Sequence, residues 1–281
     1  MNSDDFTLLI GVGAQRSGTT WVSEYFSSHK DVLMSGMKEL HYFDAKYQPD
    51  RFSLFNDTSR IVLFRELDLA RENGFSKESY ARAVAGLCRA GMMEDESLYM
   101  RSLSILRKSE KVVCEITPSY AMLDEAEFRH MAAIHHDVKI LFLMRNPVDR
   151  FMSQLRHQKR LGYNHEGGLT ELIGNDEYRL RGDYQRTINE LLTVFGRGEV
   201  HFEFYENLFS DGSIVRLCEF LGVDFMKGDY QQKVNDSYQE DISDDCRRRL
   251  YEETSSVYGF VDSFFNGNIP MSWKDDMRKN G

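Results

Sequence analysis

The sequence predicts an α/β fold in which helices cover both faces of a central parallel sheet. Short apolar runs alternate along the chain with longer stretches whose apolar residues recur at helical spacing. The runs at residues 7–12 and 138–144 are almost continuously apolar, which is typical of strands buried on both faces. Such strands need helices above and below the sheet, so the two observations together favour a layered α/β domain.

Five strands are predicted, at residues 7–12, 31–34, 111–115, 138–144 and 200–205. Helices are predicted at residues 20–28, 78–90, 97–107, 124–134, 183–196 and 212–221, with a last one at 241–258. Another helix follows the fourth strand, because Asn146 is a good N-cap and Pro147 a good first helical residue. Its apolar residues recur on one helix face: Val148, Phe151, Met152 and Leu155.

The chain length bounds the domain organisation. A chain of 281 residues suffices for one α/β domain with a large core, and we interpret residues 1–281 as a single domain. Residues 45–110 are polar and aromatic and contain no motif that carries chemistry. We interpret this region as an insertion into the domain.

Composition excludes several classes of partner. The formal net charge of −10 makes the chain a poor binder of nucleic acid or of an anionic membrane. The apolar stretch at residues 6–12 is too short for a signal peptide or a membrane span, so we expect a cytoplasmic protein. The cysteines are scattered and form no C-x-x-C pair, which predicts buried thiols rather than a metal site: Cys88, Cys114, Cys218 and Cys246.

The loop after the first strand, Gly13-Ala-Gln-Arg-Ser-Gly-Thr-Thr20, indicates an anion-binding site. A glycine-rich loop between a strand and a helix directs backbone N–H groups and a helix N-terminus at an anion, as in a P-loop-containing nucleotide-binding fold. The spacing nearly fits G-x-x-x-x-G-K-[ST], but Thr19 stands at the lysine position. The positive charge is found three residues earlier, at Arg16.

The end of the fourth strand supports this departure from the nucleoside-triphosphate pattern. Such enzymes use an acidic residue near a strand end to help hold Mg²⁺, whereas this strand ends in Arg145. A basic residue there repels a metal ion and attracts a second anion. The sequence therefore predicts a ligand with two separate anionic groups and no metal, a description that 3′-phosphoadenosine 5′-phosphosulfate (PAPS) fits.

Two segments resemble the donor-binding motifs of the sulfotransferase superfamily. Arg16-Ser-Gly-Thr-Thr-Trp21 is similar to its 5′-phosphosulfate loop. The segment at residues 140–153 is similar to its 3′-phosphate motif, in which an arginine and a serine eight residues later, here Arg145 and Ser153, bind the 3′-phosphate. Residues 200–208 and 218–222 resemble the strand and helix that follow in this superfamily.

Two further segments resemble the bacterial and carbohydrate (heparan sulfate-type) sulfotransferases most closely. Lys38-Glu-Leu-His-Tyr-Phe-Asp44 is similar to a segment whose glutamate serves as catalytic base, and Glu115-Ile-Thr-Pro-Ser-Tyr120 to a Glu-Lys-Thr-Pro-x-Tyr segment. Ile116 replaces a lysine that often contacts substrate, and the acidic chain suits a polyanionic acceptor poorly. The Arg-Lys-Gly motif of the cytosolic enzymes has no clear counterpart, Lys233 being a weak candidate.

The resemblance implies catalytic roles. Sulfuryl transfer needs a base at the acceptor and a cation at the leaving group. We assign the base to Glu39, with His41 as the competing base. Arg16 is the leaving-group cation and Lys38 assists it.

The resemblance also implies the donor-binding residues. Loop donors to the 5′-phosphate come from Ser17, Gly18, Thr19 and Thr20, and the 3′-phosphate is bound by Arg145 and Ser153. Trp21 either stacks on adenine or packs in the core, and Tyr205 is included in the donor site. Other basic residues of the chain are interpreted mainly as solvated helix faces: Arg150, Arg156, Lys159, Arg160 and Arg247–Arg249.

The sequence thus predicts a PAPS-dependent sulfotransferase that acts on a hydroxyl or amine of a carbohydrate or small molecule. The acceptor site is expected in the 45–110 insertion and around residues 161–182. Two alternatives stay open: a P-loop kinase for a small molecule, which needs ATP and Mg²⁺, and a non-catalytic binder of adenosine 3′,5′-bisphosphate. The sequence does not indicate an oligomeric state.

Overall fold

The computed structural model of the protein describes residues 5–51, 61–162, 173–231 and 244–280, except for the single positions 62, 66, 70, 73 and 75. Its centre is a five-stranded, all-parallel sheet in the order β2-β3-β1-β4-β5. The strands are β1 Thr7–Gly13, β2 Val32–Met34, β3 Val112–Ile116, β4 Val138–Met144 and β5 Val200–Phe204. The predicted strands and their parallel arrangement are confirmed.

The described helices separate the strands along the chain. The first six are α1 Thr19–Ser27, α2 Tyr42–Tyr47, α3 Lys77–Gly91, α4 Ser97–Ser104, α5 Glu125–Ala133 and α6 Pro147–Arg160. They are followed by α7 Asp176–Leu180, α8 Tyr184–Val194, α9 Tyr205–Leu208, α10 Asp211–Leu221, α11 Asp244–Phe264 and α12 Met271–Asn280. Short 3₁₀ helices lie at Pro118–Met122 and Arg197–Glu199.

Helices cover both faces of the sheet. Alternate residues of the central strand point to opposite faces: Leu8 and Ile10 join one apolar core, and Leu9 joins the other. The first core includes residues of α5, α6, α8, α11 and α12, and the second is built mainly by α1 and α10. The two-faced α/β architecture predicted from continuous apolar strands is therefore confirmed.

The parallel sheet determines where a site can form. Strand β1 lies between β3 and β4, so the loops that leave the carboxyl ends of these three strands are neighbours at one edge. Those loops begin at residues 14, 117 and 145, and they contain most of the predicted phosphate loop, part of the Glu115–Tyr120 segment and Arg145. The Lys38–Asp44 segment follows β2, on the far side of β3.

Three expectations about helices are corrected. The helix predicted at 241–258 is not the last one, because α12 follows it. Half of the residues of α12 are charged, and Trp273 is its one fully buried side chain, so the sequence shows no clear amphipathic pattern there. Arg150 is 2 % exposed rather than on a solvated face. Arg247, expected on a solvated helix face, is half-buried and forms ion pairs with Asp149 at 3.2 Å and with Asp276 at 3.4 Å.

The 45–110 region contributes to the core as far as it is described. Tyr99 and Leu103 of α4 are buried in the first core, and Arg89 of α3 is buried with its Nε donating to the Leu40 carbonyl at 3.1 Å.

Among the described residues, none of the helices has the length and apolar character needed to cross a membrane.

Candidate active site

The phosphate loop connects β1 to α1 through two residues with left-handed backbone conformation. Arg16 has a φ of 68° and Gly18, the N-cap of α1, a φ of 91°. A Cβ at Gly18 would lie 2.8 Å from the Leu208 side chain and 3.1 Å from the Tyr205 ring. Glycine is required there both by the backbone conformation and by the close approach of α9.

The two predicted donor motifs meet at Arg16. Its Nε donates to Oγ of Ser153 at 3.2 Å, and its carbonyl accepts from Nη1 of Arg145 at 3.1 Å. The Arg145 guanidinium carbon lies 4.2 Å from the ring centroid of Tyr205, a cation–π contact. The fold thus brings together four side chains that the sequence separates by up to 189 positions: Arg16, Arg145, Ser153 and Tyr205.

Positive charge is concentrated at this point. Burial, followed by the charges of Arg160, Arg145 and Arg156, lowers the pKa of Arg16 to about 10. Arg156 and Arg160 were interpreted as solvated, but they follow Ser153 by three and seven residues, so α6 presents them on the same face. Their spacing from Ser153 was the signal that could have identified them.

The loop contains a buried hydroxyl that the protein does not use. Ser17 is fully buried beside the Tyr184 hydroxyl, yet no hydrogen bond of normal geometry engages its Oγ among the described residues. A buried hydroxyl without a partner costs stability unless a ligand or water engages it. Together with the clustered guanidiniums, it forms a donor set that fits a phosphate or sulfate group.

Lys38 joins the Lys38–Asp44 segment to the phosphate loop. Its Nζ donates to Oγ1 of Thr20 at 2.8 Å. Burial, with a further contribution from Arg16, lowers the pKa of Lys38 despite the opposite effect of Glu39 and Glu24. Lys38 and Arg16 therefore supply two cations on the same side of the loop.

Glu39, His41 and Asp44 form a hydrogen-bonded chain. Nε2 of His41 lies 3.3 Å from Oε2 of Glu39, and Nδ1 lies 2.7 Å from Oδ2 of Asp44. Asp44 is fully buried and also accepts a hydrogen bond from Ser119. Burial opposes the charged imidazolium, but hydrogen bonds to Asp44 and Glu39 outweigh it and raise the pKa of His41 to about 9.

Asp44 and Ser119 were not predicted as site residues. Asp44 closes the Lys38–Asp44 segment and lies three residues after His41, so a polar residue at that spacing was the available signal. Ser119 belongs to a segment after another strand, and sequence alone gives no reason to place it beside Asp44.

The Glu115–Tyr120 segment supports the backbone that carries these groups. Oγ1 of Thr117 accepts from the Leu40 amide at 3.1 Å and donates to Oε2 of Glu115 at 3.0 Å. The Tyr120 hydroxyl accepts from the Tyr42 amide at 3.0 Å. Burial is the main reason that the pKa of Glu115 is raised to about 7. The segment thus acts as a buried support for residues 39–42.

Trp21 lies in an aromatic cluster rather than beside Arg16. It is 4 % exposed, its ring stacks with Tyr25 and Tyr230, and its Nε1 donates to the Asp229 carbonyl at 2.9 Å. Core packing is therefore the role that these contacts support, and adenine stacking stays a prediction. Lys233 lies outside the described residues.

Among the described residues, no group of three or more His, Cys, Asp or Glu side chains is arranged to hold a metal ion.

The chain matches a family model described as "Sulfotransferase domain" over residues 6–280. No curated protein sequence matches it.

Solved structures resemble the fold. The sulfotransferase from Alicyclobacillus acidocaldarius is 23% identical, with a TM-score of 0.67, over 95% of this chain and 98% of that one. The sulfotransferase domain from the curacin biosynthetic pathway is 16% identical, with a TM-score of 0.49, over 89% and 97%. Because the family model covers nearly the whole chain, this protein belongs to the sulfotransferase-domain family.

Proposed function

We propose that this protein transfers a sulfuryl group from PAPS to a hydroxyl or amine of a small-molecule or carbohydrate acceptor. The observation that carries the proposal is the meeting of the two anion-binding motifs, in which Arg16 contacts both Ser153 and Arg145. A ligand with one anionic group in the loop and another beside Arg145 and Ser153 would engage both motifs. Adenosine bearing a 5′-phosphosulfate and a 3′-phosphate has that distribution of charge.

The chain offers separate groups for the two ends of such a donor. Loop amides and hydroxyls at residues 17–20 suit the 5′-phosphosulfate, with Arg16 and Lys38 as cations, whereas Arg145 and Ser153 suit the 3′-phosphate. The fit is supported by the buried Ser17 hydroxyl and by the mutual repulsion of the arginines around Arg16, which an anion would relieve.

When bound, PAPS supplies the sulfuryl group and leaves as adenosine 3′,5′-bisphosphate. Glu39 accepts the proton that the acceptor hydroxyl or amine loses. Arg16 and Lys38 stabilise the negative charge that develops on the leaving phosphate oxygen. Arginine stays charged at working pH, so Arg16 acts by electrostatics rather than by donating a proton.

The choice of Glu39 over His41 as the base follows from the charge of the imidazole. With a pKa of about 9, His41 is protonated near pH 7 and has no free nitrogen lone pair to accept a proton. Its Nε2 faces Oε2 of Glu39 at 3.3 Å, a contact that orients the carboxylate. His41 therefore serves Glu39 as a positioning residue in this proposal.

We further propose that residues 45–110, as an insertion within a single domain, shape the acceptor site. This is supported by the contact of buried Arg89 with the Leu40 carbonyl, which links α3 directly to the residue between Glu39 and His41. Ile116 in place of a substrate-contacting lysine and the net charge of −10 favour an acceptor that is not a long polyanion.

The proposal is tested by isothermal titration calorimetry, in which only the ATP titration contains a metal ion. The purified protein is titrated with adenosine 3′,5′-bisphosphate and, separately, with ATP and Mg²⁺. The matched variants are Arg145→Ala and Arg129→Ala, the latter removing an exposed arginine of α5 that pairs with Glu125.

Micromolar binding of the bisphosphate that is lost in Arg145→Ala and kept in Arg129→Ala supports the donor site. Binding of Mg-ATP but not of the bisphosphate would instead favour a kinase. Bisphosphate binding without turnover of PAPS across a broad acceptor screen would favour a non-catalytic nucleotide binder, in which the Glu39 carboxylate has no proton to accept.

A further inference from the structure

Asp276 of α12 is the centre of a buried hydrogen-bond network that the proposed reaction does not use. Its Oδ2 accepts from Nδ2 of Asn146 at 2.8 Å and from the Tyr258 hydroxyl at 3.0 Å, and Nη2 of Arg247 lies 3.4 Å from both of its oxygens. Asp276 is 8% exposed, in a helix of which half the residues are charged. A buried carboxylate with this many donors constrains its partners strongly.

The network fixes the orientation of the Asn146 side chain. Because a carboxylate only accepts hydrogen bonds, Nδ2 of Asn146 must face Asp276 and Oδ1 must face the other way. Oδ1 then accepts from the Asp149 amide at 3.2 Å, the contact that caps α6, and lies 2.8 Å from the Tyr258 hydroxyl, whose single proton it shares with Asp276. The two C-terminal helices thereby determine how α6 begins.

Asn146 stands between two residues assigned to the 3′-phosphate. Arg145 directly precedes Asn146, and Ser153 lies seven residues after it, within α6. The Arg145 amide and carbonyl both contact the Tyr184 hydroxyl, at 3.2 Å and 2.8 Å, and the Asn146 amide donates to Glu206 at 2.8 Å. The backbone is therefore held from α8 and α9, whereas α11 and α12 hold the same turn through the Asn146 side chain and through the ion pair of Arg247 with Asp149.

We propose that Asp276 is a positioning residue for the donor site, which keeps Arg145 and Ser153 in register for the 3′-phosphate by fixing Asn146. The inference rests on the proposed function, since it needs a 3′-phosphate ligand at Arg145. It assigns a binding role to the C-terminal helix, which contributes no side chain to the donor contacts proposed above. Loss of the Asp276 carboxylate leaves Asn146 free to rotate and lets Arg145 move away from the position that the phosphate requires.

The test compares Asp276→Asn with Asp275→Asn, the same substitution at the adjacent position, where the carboxylate is half-exposed and lies 3.4 Å from Arg278. Both variants and the unmodified protein are titrated by calorimetry with adenosine 3′,5′-bisphosphate and with adenosine 5′-monophosphate, well below the unfolding temperature of each. The monophosphate lacks the 3′-phosphate, so the ratio of the two dissociation constants reports on Arg145 and Ser153 specifically.

Asp276→Asn is expected to weaken bisphosphate binding about tenfold at unchanged stoichiometry, as for other residues that orient a ligating group, with little change for the monophosphate. Asp275→Asn is expected to stay within about twofold of the unmodified protein for both ligands. An equal loss for both nucleotides in Asp276→Asn, or no loss, overturns the inference.

A second variant covers the case in which Asp276→Asn does not fold. Tyr258→Phe removes the hydroxyl proton that Asn146 and Asp276 share, without changing charge, and is expected to raise the dissociation constant of the bisphosphate relative to that of the monophosphate. An unchanged ratio in Tyr258→Phe also overturns the inference. Failure of the unmodified protein to bind the bisphosphate, by contrast, contradicts the proposed function itself.

Discussion

Nε2 of His41 lies 3.3 Å from Oε2 of Glu39, and Nδ1 of the same imidazole lies 2.7 Å from Oδ2 of Asp44; hydrogen bonds to these two carboxylates raise the pKa of His41 to about 9. In the proposed function, this relationship gives different tasks to two residues that the sequence left in competition. A protonated histidine cannot serve as the base, but it can orient a neighbouring carboxylate. The first prediction follows from this division.

Glu39→Gln is expected to lower kcat for sulfuryl transfer by about 10²–10⁴, the usual contribution of a general base. The amide keeps the shape of the side chain but cannot accept the proton. Release of adenosine 3′,5′-bisphosphate from PAPS, measured with an acceptor found by screening, gives the rate. Calorimetry should show nearly unchanged donor affinity, because Glu39 serves the acceptor rather than the donor in the proposed function.

The matched control is Glu252→Gln on the exposed side of α11, which should keep full activity. If Glu39→Gln retains more than about a tenth of the activity, Glu39 is not the base, and the assignment then moves to another group.

His41 should make the stability of the fold depend on pH. Burial opposes its charge, but Asp44 and Glu39 raise its pKa from 6.5 to about 9 in the folded chain. A raised pKa means that the folded state binds the proton more tightly, so the stabilisation is fully present below about pH 6.5 and is lost as the pH rises through about 9. The melting temperature is therefore expected to fall across this window.

His41→Asn removes the titrating group, and its melting temperature should change less between pH 6.5 and 9 than that of the unmodified protein. Differential scanning calorimetry at several pH values in this range measures both. Other groups titrate in both proteins, so the difference between the two curves is the informative quantity. Parallel curves would mean that folding does not raise the pKa of His41.

Thr117→Val is expected to affect the backbone of residues 39–41, which carries the proposed base, without affecting donor binding. Valine has the shape of threonine but leaves the Leu40 amide without an acceptor and Glu115 without one of its donors. Leaving a buried polar group unsatisfied costs about 1–3 kcal/mol, so the free energy of unfolding should fall by that amount. We expect kcat to fall as well, because residues 39–41 lose their anchor.

Urea unfolding and PAPS turnover measure the two effects, and the bisphosphate dissociation constant should stay within about twofold of the original. Thr193→Val provides the control, since Thr193 lies on the exposed face of α8 and its hydroxyl donates to the Asn189 carbonyl of the same helix. Unaltered kcat in Thr117→Val would show that this hydrogen bond does not position the catalytic segment.

The central sheet could be predicted from the sequence because its strands are almost continuously apolar. Val138–Met144 appears in the structure with the predicted bounds, and Asn146 and Pro147 begin α6 as their capping preferences indicate. These properties are local: they depend on apolar character and on backbone preferences that a short segment carries by itself.

The support of the site could not be predicted in the same way. Asp276 and Asn146 are 130 positions apart, and Thr117 lies 77 positions from Leu40. A charged helix such as α12 has one fully buried apolar residue, Trp273, so its pattern indicates a solvated segment. Polar contacts between residues so far apart in sequence can be identified only from the folded structure, in which these segments lie side by side.

The arginines of α6 give the last prediction. Arg160 lowers the pKa of Arg16 more than any other charge does, so it lies close enough to act on an anion in the donor site. Arg160→Ala is expected to raise the bisphosphate dissociation constant by about threefold to tenfold, the effect of one partly exposed charge–phosphate interaction. Because Arg160 is exposed, the loss should be smaller at high salt, where screening weakens the contribution in the unmodified protein as well.

Calorimetry at low and high sodium chloride concentrations measures this loss, with Arg129→Ala as the control of equal charge change at an exposed arginine that is not assigned to the site. A long-range effect of net charge would alter both variants alike, since each adds one unit of negative charge to a chain of −10. A loss confined to Arg160→Ala would place Arg160, together with Arg16 and Arg145, beside the donor. Equal affinities in the two variants return Arg160 to the solvated helix face that the sequence suggested.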